Sequence, residues 1–499
     1  MQYISTRDKN TTYLASQAIA QGLAPDGGLM TPAYLPKLPG KSLSDLKEMS
    51  YQQRAVYIMK LFLDEFSVKE LTEFAAAAYG PEKFDTPAVA PVRALDDGTF
   101  CLELWHGPTC AFKDMALQML PHLLTASLVK TEEEKTVCIL VATSGDTGKG
   151  ALEGFRDVDR TRILVFYPKD GVSAIQELQM VTQEGKNVGV CSVFGNFDDA
   201  QTGVKKLFSD EALRQELARR GYFLSSANSI NWGRVLPQIV YYISAYCDLL
   251  RDEKIQRGEK VNVCVPTGNF GNILAAYIAK QMGLPVNKFI CASNRNNVLT
   301  DFFKKGGEYN RNRDFFTTTS PSMDILISSN LERLLFFASD FNDKLVAELM
   351  NKLNTEGSYK VAEDVFAKIE VFRLDDNRHD RKVVHDNPIA AWSFTGDLRF
   401  GGDNLCRLVS GRFDFRLYLS QVAVIKREHG VPAVYRIAFL THLPEHFPFQ
   451  PCKGSVQFNY RGTELLYGLC LPFRLSSLMP STMMTRSLQV MGYEWVSGS

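Results

Sequence analysis

The chain carries no excess charge of either sign: 56 lysines and arginines stand against 56 aspartates and glutamates. A balanced chain projects no broad field toward nucleic acid or an anionic membrane, so neither is an expected partner and a small molecule leads. The ten cysteines include no CxxC pair and no metal-ligand spacing, which argues against a zinc centre and against a disulfide framework. No metal is expected. Several cysteines (Cys138, Cys264, Cys291) sit inside apolar, strand-like runs, the pattern of buried thiols in a reducing cytosol. The opening residues MQYISTRDKN have no apolar signal-peptide core, and no segment approaches the length of a membrane span. The expectation is a cytoplasmic globular protein, and 499 residues allow two or three domains.

What is present is a strand–helix rhythm. TVCILVAT (Thr136–Thr143), RILVFYP (Arg162–Pro168), NVGVCSVF (Asn187–Phe194), VNVCVPT (Val261–Thr267) and KFICAS (Lys288–Ser293) read as buried strands. Amphipathic stretches such as Asp199–Arg219 and Val235–Asp252 lie between them. Short apolar runs alternating with helices predict a parallel sheet covered on both faces. Residues 1–90 read instead as helices and loops, and the Pro/Gly-bearing stretch Gly80–Arg93 is a plausible boundary.

Three segments carry chemistry. In HGPTCAFKD (His106–Asp114) a single lysine, Lys113, sits among small, aromatic and turn-forming residues. A lysine shielded from water loses its proton readily and condenses with a carbonyl, often that of pyridoxal phosphate; a solvated helix lysine beside Asp114 is the plain alternative. In VPTGNFGNILAAYIAK (Val265–Lys280) an apolar strand runs into Gly268, Asn269, Phe270, Gly271 and Asn272 and then a helix. Glycines let the backbone approach an anion while the first helical amides point at it. The loop matches neither the dinucleotide fingerprint GxGxxG nor a Walker loop, so it is a phosphate cup of a third kind. In VATSGDTGKGALEGF (Val141–Phe155) a second strand ends in Thr143, Ser144, Gly145, Asp146, Thr147 and Gly148, again suited to a carboxylate or phosphate.

Taken together and in order, these stretches resemble the threonine synthase family of pyridoxal-phosphate enzymes. STRD, GLAPDGGLMTP, ELWHGPTCAFKDMALQ, ATSGDTG, YPKDGVSAIQELQM, GNFDDAQ, SANSINWGRVLPQIVYY, PTGNFGN, ASNRNNVL and SPSMDILISSNLER carry the likeness over roughly residues 1–370. The resemblance implies an α/β fold of the tryptophan-synthase-β type (fold type II): two open, mostly parallel sheets with helices on both faces, plus an N-terminal helical region. It divides the chain into 1–90 (N-terminal region), 91–370 (catalytic region of two subdomains) and 371–499. It makes Lys113 the Schiff-base lysine and Gly268, Asn269, Phe270, Gly271 and Asn272 the holders of the pyridoxal 5'-phosphate phosphate group. Ser144, Gly145, Asp146 and Thr147 then hold the substrate's carboxylate or lie beside the cofactor ring, and the second anion site, for the leaving phosphate, falls among Arg7, Asn228, Asn231 and Arg234. The implied reaction converts O-phospho-L-homoserine and water to L-threonine and phosphate, in a monomer or homodimer.

The likeness ends near Val371. Residues 1–370 hold 25 lysines and 16 arginines, residues 371–499 only 3 and 12. Two late motifs of the family are absent, a D-P-H-T-A run and a strand ending near S-T-A-S-P-x-K-F whose hydroxyl meets the cofactor's pyridine nitrogen; His385–Trp392, Thr395, Ser481 and Thr482 do not replace them. Either a change of reading frame in the gene or a genuine but divergent C-terminal domain would account for such a tail; the first predicts that DNA read in another frame beyond codon 370 yields the two missing motifs. A tail of this kind is expected to leave a sheet edge unpaired. Two rivals stand beside threonine synthase: a phospho-lyase or dehydratase giving 2-oxobutyrate, and a silent or impaired protein that keeps the fold. Other polar residues receive bland readings: His106 as packing, Asp198 and Asp199 as a helix cap, Met323, Asp324 and Asn330 as a wall, Tyr241 and Tyr242 as core.

Overall fold

In the computed structural model the apolar runs of the middle become strands, each within two residues of its expected ends. The structure describes residues 1–39, 42–96, 98–318, 320–369, 422–427, 458–460 and 493–495. His385–Trp392, Thr395, Ser481 and Thr482 lie outside the described residues. The chain divides into two units, one holding Met1–Glu133 and Ser226–Tyr435, the other holding Glu134–Ser225 and Arg436–Ser499.

The second unit is built on four parallel strands in the order Val188–Val193, Thr161–Pro168, Thr136–Ala142, Tyr222–Ser225. Thr136–Ala142 is buried along nearly its whole length, as a strand covered on both faces must be. The stretch Asp199–Arg219, expected as one helix, is two: Phe197–Ser209 and Glu211–Arg219. Asp210 separates them in an extended conformation and caps the second through Leu213 N–H. A hydrophobic period shared by both halves concealed that break.

The first unit holds a five-stranded sheet in the order Val286–Ala292, Val261–Pro266, Val422–Arg427, Thr99–Glu103, Val92–Asp96. Its first pair is parallel and the other three are antiparallel, so this sheet is mixed rather than mostly parallel. Strand Val422–Arg427, from the atypical tail, fills the place between Val261–Pro266 and Thr99–Glu103. The expectation of an unpaired edge is corrected there: the backbone ladder needs only an extended segment with free N–H and C=O groups, whatever the ancestry of its side chains. The region before residue 90 also departs from expectation. Beside its helices it carries a small antiparallel sheet of Thr12–Tyr13, Tyr3–Ser5 and Met30–Pro32, whose strands are too short to show a period of two.

The centre of this unit is the helix Trp232–Arg251, buried at every position from Trp232 to Leu249. Arg54 ties the helix Tyr51–Lys60 to it, donating to Ser244 Oγ at 2.8 Å and Asp248 Oδ1 at 2.7 Å as well as to the Leu46 and Lys47 carbonyls. Tyr3 and Phe62 pack on Trp232 at ring separations of 5.9 and 5.8 Å, joining the small N-terminal sheet to the helix.

Candidate active site

Lys113 is delivered by a loop that closes on its neighbour. The Asp114 side chain is fully buried and accepts from Thr109 N–H and Thr109 Oγ1, both at 2.8 Å, and from Ala111 N–H at 3.4 Å. Gly107 must be glycine, since an added Cβ would lie 2.6 Å from the Asp114 Cβ. Cys110 turns the chain at φ 52°. These turn residues place Lys113 at the N-cap of the helix Asp114–Leu117, half-buried, with Nζ 5.4 Å from the Phe112 ring centre. His106, read as packing, sits between Asp85 Oδ1 (2.6 Å) and Glu103 Oε2 (3.0 Å). Burial works to lower its pKa, but the Glu103 and Asp85 carboxylates outweigh it and the net shift is upward.

The loop Gly268–Asn272 ends the strand Val261–Pro266 and starts the helix Gly271–Met282. Phe270 holds the left-handed conformation at φ 63°. A Cβ on Gly268 would meet Ile325 Cδ1 at 2.9 Å and Met323 Cα at 3.3 Å; one on Gly271 would meet Asn330 Nδ2 at 3.3 Å. Neighbouring segments clamp the backbone. Asn330 donates through N–H and Nδ2 to the Asn269 carbonyl at 3.0 and 3.2 Å, and Ser328 Oγ donates to the Gly268 carbonyl. Arg333 holds Asn330 Oδ1 at 2.6 Å and the carbonyls of Met30, Ser229 and Ile230. The result is a braced glycine turn at a helix N-terminus, whose backbone amides suit a phosphate group. Asn330, expected as a wall, is a brace of this loop.

Asn231 and Arg234 open the long helix. Asn231 caps it, accepting from Gly233 N–H at 2.9 Å and donating its amide to the Ile19 and Ser226 carbonyls, both at 3.0 Å. Both amide hydrogens are thus committed, which leaves no donor for a substrate. Arg234 donates to the Ala227 carbonyl, yet its Nε is buried without a hydrogen-bond partner. Burial lowers its pKa to about 10, so it stays cationic at neutral pH. Arg7 is engaged elsewhere, in a bidentate pair with Glu332 at 2.8 Å. Helices Asp114–Leu117 and Gly271–Met282 both pack on Trp232–Arg251, so the structure gathers the Lys113 loop, Arg234 and the glycine loop around one buried helix.

Ser144–Thr147 belong to the second unit. Gly145 takes φ 126°, Thr143 Oγ1 accepts from Gly145 and Gly148 N–H at 2.9 and 2.8 Å, and the helix Asp146–Phe155 begins. Gln176, from the capping box of the helix Ala174–Val181, donates to Asp146 Oδ1 at 2.8 Å and lies where a Gly145 Cβ would go. Lys149, fully buried, places Nζ 3.2 Å from Asp146 Oδ1. The motifs ATSGDTG and YPKDGVSAIQELQM therefore form one local structure.

The remaining candidates have structural tasks. Asn196, rather than Asp198 or Asp199, caps Phe197–Ser209, with Asp199 completing the box. Asp324 accepts from Thr318, Asn294 and Asn296, yet burial still pushes its pKa up to about 6. Among the described residues no group of three His, Cys, Asp or Glu could hold a metal, and no helix is long and apolar enough to cross a membrane. Tyr241 and Tyr242, read as core, both bond Asn272 of the glycine loop. The stretch SANSINWGRVLPQIVYY ends in them, but only the fold brings Tyr242 and Asn272, 30 positions apart, together.

Comparison with known proteins places this geometry. Residues 2–79 match the family model for the threonine synthase N terminus, and residues 85–347 that for pyridoxal-phosphate dependent enzymes. Human threonine synthase-like 1 is 42% identical over 385 residues, 74% of this chain and 51% of that protein. The chain thus spans about half the length of the curated threonine synthase-like 1 relatives it matches. Threonine synthase of Pseudomonas aeruginosa is 40% identical over 72% of this chain and 74% of its own. The crystal structure of pyridoxal-phosphate-bound threonine synthase from Brucella melitensis superposes with a TM-score of 0.67 at 39% identity, covering 74% of this chain and 77% of the other.

Proposed function

The chain belongs to the threonine synthase family and its cofactor is pyridoxal phosphate, and from that premise we propose that it converts O-phospho-L-homoserine and water to L-threonine and phosphate. The observation that supports this most is the gathering of the Lys113 loop, the glycine loop and a buried arginine with an open N–H around one helix.

Bound pyridoxal phosphate supplies a carbonyl that amines condense with and a conjugated ring that spreads the charge of a deprotonated carbon. Gly268, Asn269, Phe270, Gly271 and Asn272 hold its phosphate through backbone amides and the helix N-terminus. Lys113 would be the amine held against that carbonyl and, when not engaged there, the base positioned for a substrate's α-proton. Overall a β-proton and the γ-phosphate would leave the substrate, a proton would return to the γ-carbon, water would add its oxygen at the β-carbon, and the α-carbon would regain a proton, giving threonine and phosphate. Ser144, Gly145, Asp146 and Thr147 hold the substrate carboxylate at the start of their helix. Arg234 offers its open Nε–H and its charge to a substrate anion.

The test is product analysis with O-phospho-L-homoserine and the purified full chain. Threonine and phosphate in equal amounts support the reading. Phosphate accompanied by 2-oxobutyrate would replace it with a phospho-lyase, and no turnover by a cofactor-loaded chain would overturn both.

A further inference from the structure

Two adjacent phenols meet one amide oxygen behind the phosphate loop. Tyr241 and Tyr242 are fully buried on the long helix, their rings 4.7 Å apart and tilted by 52°. Both hydroxyls donate to Asn272 Oδ1, Tyr242 at 2.7 Å, and Tyr241 also reaches Gln238 Oε1 at 3.2 Å. Burial holds both phenols protonated far beyond neutral pH, so they remain donors. An amide oxygen has two lone pairs, and here both are taken.

An asparagine amide has a donor end and an acceptor end that exchange by a half-turn. Asn272 is the second residue of the helix Gly271–Met282, where the first backbone N–H groups are unpaired. With its oxygen held by the two tyrosines of the long helix, the amide nitrogen faces away from them. At a phosphate the difference is one of sign, since nitrogen donates to an anionic oxygen whereas oxygen repels it. We propose that Tyr241 and Tyr242 are positioning residues that lock Asn272 with its amide nitrogen toward the cofactor phosphate. The inference rests on reading Gly268–Asn272 as the phosphate loop.

The experiment compares equilibrium binding of pyridoxal phosphate with that of pyridoxal, which lacks the phosphate, in the full chain and in Tyr242→Phe, Tyr241→Phe and Asn272→Ala. Phenylalanine keeps the ring and removes only the hydroxyl. The expected result is that Asn272→Ala and Tyr242→Phe each lose about tenfold in affinity for pyridoxal phosphate, the scale of one hydrogen bond to a charged group, and keep their affinity for pyridoxal. Tyr241→Phe moves the same way and stands in should Tyr242→Phe not fold. If Asn272→Ala loses the preference but both tyrosine variants retain it, or lose both ligands equally, the positioning role is overturned. If Asn272→Ala itself keeps the preference, the phosphate-loop reading falls and the inference with it.

Discussion

Two loops of the chain end a parallel strand and open a helix, but they are held by different means. The glycine loop Gly268–Asn272 is braced by neutral groups: the Asn330 amide, the Ser328 hydroxyl and the two phenols on Asn272. The loop Ser144–Thr147 is braced by a buried ion pair, Lys149 with Asp146, and by Gln176. Neutral groups in direct contact leave the helix N-terminus, with Arg333 one step behind on Asn330, to supply the positive potential. A buried cation beside an acidic residue makes the second loop dependent on charge balance. Similar sequence patterns thus conceal two electrostatic designs, and each can be broken separately.

The largest effect is expected at neither loop but at the lysine. Lys113→Ala should lower the rate of product formation about a thousandfold or more, because nucleophile and base are lost together. A colorimetric phosphate assay measures it. Next is Lys149→Met, which leaves the Asp146 carboxylate buried without its lysine and should cost about 3 kcal/mol in urea unfolding. Pyridoxal phosphate affinity should stay within about twofold if the loops are separate devices, since one hydrogen bond's worth of coupling would already exceed that. Gly268→Ala should act in reverse. The added methyl collides with Ile325 and the Met323 backbone, so cofactor affinity should fall about tenfold with a smaller change in unfolding, since most of the helix contacts survive.

The sequence carried more of the first design than of its support. Strand ends and glycine runs are local signals, so Val261–Pro266 and the turn at Gly268 were legible. The expected Lys113 loop needed only its own residues, because Asp114 closes it from five positions or fewer away. The braces come from far off: Asn330 lies 61 residues from Asn269 and Tyr242 lies 30 from Asn272. A buried tyrosine that donates a hydrogen bond has the same apolar period as one that merely packs. Asn231 illustrates the converse. A polar residue in a family motif suggested a ligand, yet its oxygen caps the helix start and both its amide hydrogens go to backbone carbonyls.

The smallest effect tests the edge of the Lys113 loop. Because the His106 pKa is raised in the folded state, its protonation stabilises the fold fully below the unfolded value near 6.5 and that stabilisation disappears as pH rises through the folded value. His106→Asn should therefore lower the melting temperature by a few degrees at pH 6 and by less at pH 9. A gap that widens with pH would show that the Glu103 and Asp85 contacts do not govern this histidine.

The central claim, that Lys113 is the residue joined to the cofactor, has a direct measurement. The full chain is loaded with pyridoxal phosphate, reduced with borohydride, digested and mapped by mass spectrometry. The reduced cofactor mass is expected on the peptide that contains Lys113. The same mass on a peptide with another lysine, Lys149 included, or no labelled peptide from a cofactor-loaded chain, would contradict it.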